Sequence, residues 1–422
     1  MTASAILLVG LRVVHAAYLN KVPMGPPDAI LGLAQAFRES TSPQKVNLVV
    51  GAYRDGQGRP WVLPSVRTAE ARLLEREEPK EYAGIAGLPT FVKRALAFAY
   101  GPECEALDRI AGVQTLSGTG ACRLAADFYA RFLPAGTIVF CSDPTWPNHI
   151  PIFQQSGLTV KRYRYLERTT NRLDLQGMLT DISTAPDGSV FVVHACAHNP
   201  TGVDPTTEEW VEISDALLRG GHHVLVDMAY QGFASGDSQR DAGALRTLVS
   251  AGHSLLLAQS FAKNFGLYGE RVGTLSAVCA DAEEVERIQS QLKLLIRPMY
   301  SNPPIHGALL VSEVLGDESL RSQYDIECAS MATRIQKMRL LLRREIEAAG
   351  STHGWSHVTD QIGMFAFTGM NAQMCDELMS KHSIFLTRDG RISLAGINNN
   401  NVEYVARAIH DVTNGRALGE TA

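Results

Sequence analysis

Between about residues 60 and 280 the chain alternates short apolar runs with longer amphipathic stretches. That alternation predicts βαβ units around a largely parallel sheet. The expected strands are Val113–Leu116, Thr137–Cys141, Val190–His194, His223–Val226, Leu255–Ala258 and Val272–Ser276. Helices are expected between them, for example Ala121–Phe132 behind a Gly-rich turn and Thr207–Arg219 behind an Asn-Pro-Thr-Gly turn. Strands this apolar are expected to be buried on both faces.

The pattern then changes. Ile326, Met331, Ile335, Met338 and Leu342 recur at helical spacing and predict one long helix over about Ser319–Ala349. Alternating segments follow at Gly363–Phe367 and Arg391–Leu394, the mark of a second domain. No repeat, low-complexity tract or Gly/Ser linker separates the two parts, so close packing is expected.

Composition narrows the function classes. The 422 residues, 45% hydrophobic and 20% charged, can bury a large core, and a net charge of −5 without basic blocks offers no nucleic-acid surface. No apolar run is long enough to span a bilayer. Seven cysteines without a CxxC pair do not form a disulfide framework and fit a reducing compartment. His194-Ala195-Cys196-Ala197-His198 has some look of a metal site but is followed by a turn rather than further ligands, so no metal is expected. His222 and His223 are expected at the surface or a sheet edge. Residues 1–27 contain Arg12, His15 and Lys21 but no acid, the bias of an organelle-import presequence.

Chemistry-bearing residues collect at predicted strand ends, where ligands bind in open α/β sheets. Ser117-Gly118-Thr119-Gly120 offers small residues and free N–H groups at a helix start to a phosphate. Asn199-Pro200-Thr201-Gly202 leaves Asn199 at the mouth of a strand. Asp227, directly after Val224-Leu225-Val226, needs a cationic partner, which a protonated pyridine nitrogen would supply. Lys263 stands among apolar and small residues that can desolvate its amine and make it a Schiff-base nucleophile, with Ser260 and Arg271 beside it as phosphate ligands.

Taken together, Ser117 to Gly120, Pro144-Thr145-Trp146, His194 to Gly202, Asp227 to Phe233, Ser260 to Gly273 and Arg297 to Pro304 resemble the corresponding segments of aspartate aminotransferases. Those are fold-type-I pyridoxal-phosphate enzymes, and the likeness runs from about Val22 to near the C-terminus. It implies a three-layer α/β/α fold with a mostly parallel large-domain sheet and a smaller α/β domain built from both chain ends. The division it implies is a presequence over 1–23, a small domain from 24–60 and 331–422, and a large pyridoxal 5′-phosphate-binding domain over 61–330.

Carried over residue by residue, the resemblance implies that Lys263 links covalently to the cofactor and shuttles the substrate Cα proton. Asp227 would hold the ring nitrogen protonated, Tyr230 and Asn199 would bond the phenolic oxygen, and Trp146 would stack on the ring. Gly118, Thr119, Ser260 and Arg271 would hold the phosphate, with Tyr82 reaching across from a second subunit of a homodimer. Arg391 would clamp the substrate α-carboxylate, assisted by Gly51 and Asn199, with Trp146 also at the substrate. Arg297, again from the neighbouring subunit, would pair with the distal carboxylate of a dicarboxylic substrate.

The resemblance therefore implies transamination of L-aspartate and 2-oxoglutarate, with amino and keto acids as the small-molecule partners. A guanidinium facing an otherwise empty pocket disfavours apolar side chains. A broad-specificity or aromatic aminotransferase on the same scaffold is the alternative. Val22 to Asp28 and Arg297 to Asn302 resemble the mitochondrial branch, so the matrix is the expected location, with the cytoplasm as alternative. Pro147 after Trp146 and Ala262 before Lys263 depart from the family pattern and bear on fine specificity.

Overall fold

The structure, a computed structural model, describes residues 19–26, 31–49 and 51–419. The expected presequence falls mainly on residues 1–18, outside the described residues. A short strand, β1 (Val46–Asn47), precedes the main sheet. That sheet contains β2 (Ile110–Leu116), β3 (Ile138–Asp143), β4 (Thr159–Arg164), β5 (Val190–His194), β6 (His223–Met228), β7 (Leu255–Ser260) and β8 (Val272–Val278). Its order is β2-β8-β7-β6-β5-β3-β4, and β8 alone runs against its neighbours.

Six of these strands lie where the apolar runs put them, most extended by a few residues. The edge strand β4 is a difference. Four of the six residues of its Thr-Val-Lys-Arg-Tyr-Arg are polar and most face solvent, as an edge permits, so it carries no apolar-run signal.

Alternation along the central strands sorts their side chains onto two faces. Phe191, Val193, Val224, Val226, Leu255 and Leu257 pack on one side with Trp210, Ile213 and Leu217 of α2 (Thr207–Arg219). Val190, Val192, Leu225, Leu256 and Ala258 pack on the other with Ala121, Leu124 and Ala125 of α1 (Ser117–Phe132). The result is three layers with the sheet in the middle. Helix α2 is delimited by a Thr206/Glu209 capping box and by Gly220, the signals its sequence carries.

The start of α1 differs from expectation. Ser117 to Gly120 form its first helical turn instead of a separate loop. His222 differs as well: it is buried, with Nε2 bonded to the Ile182 carbonyl at 3.0 Å.

Helix α3 (Ala282–Met299) covers the sheet near β2, and α4 (Glu318–Ala348) follows as the long helix the periodicity predicts. At 31 residues α4 is about 46 Å long. It packs early on Pro64–Glu75 and His306–Gly316, and it also packs on α5 (Val402–Thr413). Beyond it, β9 (Phe365–Phe367) pairs antiparallel with β11 (Arg391–Ser393), and β10 (Ile384–Phe385) pairs with β1, joining the two ends of the chain. Among the described residues no helix is long and apolar enough to cross a membrane.

Candidate active site

A cavity of about 340 Å³ lies along the sheet edge where β2, β5, β6 and β7 end. Because β8 runs the opposite way, its beginning lies at that same edge, and Arg271 just before it joins the cavity. Ser117 opens α1 with a left-handed φ of 62°, so the chain turns at once from strand to helix and the first-turn N–H groups face the cavity. Gly118 permits the close approach that follows: a Cβ there would sit 3.1 Å from that of Ser260. The Ser117 and Ser260 hydroxyls are 3.0 Å apart, and Ser260 Oγ also accepts the Ala262 N–H at 3.2 Å. Thr119 and Arg271 complete a donor-rich corner, with the Arg271 guanidinium donating to the Tyr268 carbonyl at 3.0 Å.

At the centre, Asp227 and Lys263 share the cavity. Burial pushes the Asp227 carboxyl up, but His149, His194 and Lys263 around it outweigh that, and its pKa lies below the usual range. His149 Nε2 sits 3.3 Å from Asp227 Oδ2, while Nδ1 is 3.0 Å from Thr145 Oγ1. Burial lowers the pKa of Lys263; Asp227 opposes this, and the positive charges of Arg271 and Arg391 lower it further. Its Nζ lies 5.4 Å from the centroid of the Tyr230 ring. Tyr230 Oη is buried and without a hydrogen-bond partner, and burial keeps it a neutral phenol. Trp146 stands half-buried at the cavity wall, edge-on to His149 at 5.2 Å.

Beside Asn199, which lines the cavity, Arg391 is 3% exposed and not itself part of the lining; it donates to the Val49 carbonyl at 3.1 Å and reaches Asn199 Oδ1 at 3.5 Å. Its guanidinium lies over the Phe365 ring, 4.2 Å from the centroid. Gly51 lines the cavity beside it; a Cβ at that position would meet Phe365 Cζ at 2.8 Å.

Two expected residues stay outside this group. Tyr82 is 88% exposed, and Arg297, in the last turn of α3, points to solvent and bonds Ser301. Neither lines the cavity. The two share one neighbourhood, because Asn302 Nδ2 donates to the Ala83 carbonyl at 2.6 Å.

Other groups were not legible beforehand. His149 has no strand-end position; its only signal is its place three residues after Trp146. His194 lines the cavity as a neutral imidazole, its pKa held low by burial and by His198. Asp204 is a half-buried acid whose carboxylate accepts the N–H groups of Ala197 and His198 at 2.6 and 2.9 Å, fixing the loop before Asn199. His198 spends both nitrogens on the Ser142 and Thr201 hydroxyls. Cys122, His149 and Asp227 place one donor atom each within 4.8 Å of one another, and burial and the nearby Asp227 push the pKa of the Cys122 thiol up.

The cavity fits a phosphorylated pyridine carrying a phenolic oxygen. Its lining brings together a helix start, a serine and an arginine, an ionised carboxylate and the unpartnered Tyr230 hydroxyl. A lysine with a lowered pKa stands where it can form a covalent link.

The sequence pattern of the Aminotransferase class I and II family matches residues 43–409. A mitochondrial aspartate aminotransferase of Schizosaccharomyces pombe is 50% identical over 394 residues, 93% of this chain and 90% of that protein. The solved structure of a mitochondrial aspartate aminotransferase from Trypanosoma brucei is 45% identical with a TM-score of 0.87, covering 90% of this chain and all of that one. An aromatic-amino-acid aminotransferase from Burkholderia pseudomallei, covalently bound to pyridoxal phosphate, is 37% identical with a TM-score of 0.90, covering 93% of this chain and 98% of that one.

Proposed function

This chain belongs to the class I and II aminotransferase family, and on that premise we propose that it is an aspartate aminotransferase of the mitochondrial matrix. It moves the amino group between L-aspartate and 2-oxoglutarate, giving oxaloacetate and L-glutamate. One keto acid leaves before the other enters. The observation that carries this reading is a cavity lined by Lys263, Asp227 and Asn199, with Arg391 reaching Asn199 beside it.

Pyridoxal 5′-phosphate, when bound, supplies the carbon that takes and returns the amino group and a ring that accepts the electron pair left at Cα. The N–H groups of Gly118 and Thr119, the Ser260 hydroxyl and Arg271 hold its phosphate. Asp227, kept ionised by its neighbours, holds the ring nitrogen in its protonated form. Tyr230 and Asn199 bond the phenolic oxygen, and Trp146 covers a face. Lys263 Nζ, with its affinity for protons lowered, takes the proton from substrate Cα and returns one in the reverse half. Arg391 clamps the α-carboxylate with Gly51 and Asn199, orienting the Cα–H bond toward Lys263.

The second carboxylate calls for another cation. Arg297 and Tyr82 are exposed on one patch away from their own cavity, which supports a homodimer in which each subunit lends both residues to the other. The pairing of β1 with β10 and the packing of α4 on α5 support a small domain made of 24–60 and 331–422 beside a large domain of 61–330. Comparison of kcat/KM for aspartate and phenylalanine tests the substrate; aspartate is expected to be preferred by at least about 100-fold. A preference for phenylalanine would place the chain with the aromatic enzymes instead.

A further inference from the structure

Arg339, on α4, is among the largest fully buried side chains and is 2% exposed. Burial alone lowers its pKa, to about 9, with no acid offsetting the effect. An uncompensated buried cation is costly, so its placement calls for a reason. Its guanidinium donates to three carbonyls of one segment: Val358 at 2.8 Å, Gly363 at 2.8 Å, and Phe365.

That segment is the meeting point of the substrate wall. The Ile362 N–H donates to the Gly202 carbonyl at 2.7 Å, tying it to the turn that carries Asn199. A Cβ on Gly363 would come within 2.4 Å of Ala197 Cβ, so the segment lies hard against the loop that follows β5. Phe365 then places its ring under the Arg391 guanidinium and against Gly51. A displaced Phe365 would move the cation above it.

We propose that Arg339 is a positioning residue for the substrate α-carboxylate: by pinning the 358–365 segment it sets Phe365, and Phe365 sets the height and tilt of Arg391. The proposal rests on the reading that Arg391 receives that carboxylate.

The test uses the holoenzyme with succinate, a dicarboxylate that lacks an amino group, as the probe. Succinate Kd by calorimetry, aspartate KM and kcat, and the absorbance of the bound cofactor are measured in Arg339→Lys, Phe365→Leu and Arg391→Ala. Lysine keeps the charge but gathers its donors on one nitrogen at the end of a shorter side chain, so it cannot span the carbonyls that Nη1 and Nη2 reach separately. Arg339→Lys is expected to raise Kd and KM roughly tenfold, change kcat by less than about threefold and leave the cofactor absorbance unaltered. Phe365→Leu leaves the backbone acceptors in place and removes the ring beneath Arg391; the same rise is expected, and it carries the test if the lysine variant does not fold. Wild-type Kd and KM in either folded variant, while Arg391→Ala binds succinate weakly, would overturn the inference and leave the functional reading standing. Wild-type succinate binding by Arg391→Ala would overturn both.

Discussion

On the floor of the cavity every group stands close to a strand end: Ser117 follows β2, Asp227 lies in β6, and Lys263 comes three residues after β7. On the facing wall, Arg391 meets Asn199 across 192 positions of sequence and Val49 across 342. The floor is built locally by rigid parallel strands, while the wall is assembled from both ends of the chain. The floor therefore carries the chemistry common to every substrate. The wall carries selection and orientation, and depends on contacts such as Phe365 under Arg391 that no local motif encodes.

That contrast can be broken most forcefully at Asp227. Asp227→Asn removes the charge facing the ring nitrogen and should lower kcat by about 10³ for every substrate. Succinate binding should stay near wild type. If succinate binding weakens as much as kcat falls, floor and wall are not separable.

Arg297→Ala should lower kcat/KM for aspartate by roughly 100-fold and leave phenylalanine little changed, since the lost charge faces only a distal carboxylate. Mixing inactive Lys263→Ala subunits with Arg297→Ala subunits sharpens this. If the arginine crosses between subunits, hybrid dimers carry one site with both residues intact and regain aspartate activity.

Gly51→Ala inserts a Cβ against the Phe365 ring and should raise aspartate KM about tenfold, because the ring can yield only by shifting Arg391. Cofactor absorbance should not change. An unchanged KM would show that the wall is softer than its packing suggests.

The last prediction concerns stability, through the floor's own support. Asp241 is buried, accepts the N–H groups of Gly232, Ala234 and Ser235, and has its pKa pushed up to about 6 by burial. Since the folded chain holds this proton more tightly than the unfolded one, its contribution to stability is full below about pH 4 and is lost as pH rises through about 6. The change is of order 3 kcal/mol. Urea midpoints at pH 4 to 7 should show this slope in wild type and lose it in Asp241→Asn.

Legibility in the sequence follows the same division. Val190–Val193 and Leu255–Ala258 are apolar throughout, so burial on both faces could be read from them directly. The mostly polar β4 could not, because an edge strand needs no apolar run. Residues at strand ends were found by combining motif and position, and Arg391 only through the family resemblance. His149 and Asp204 were missed because each acts through a neighbour, one on Asp227 and the other on the backbone before Asn199. Nothing in periodicity marks a residue whose partner is distant.

The central claim is that Lys263 carries the amino-transfer chemistry. Absorbance of the bound cofactor, followed as aspartate and then 2-oxoglutarate are added, tests it most directly. Wild type should change on the first addition and return on the second. Lys263→Ala should bind both acids yet complete the cycle at least about 10⁴-fold more slowly. A variant that cycles at the wild-type rate would contradict the account.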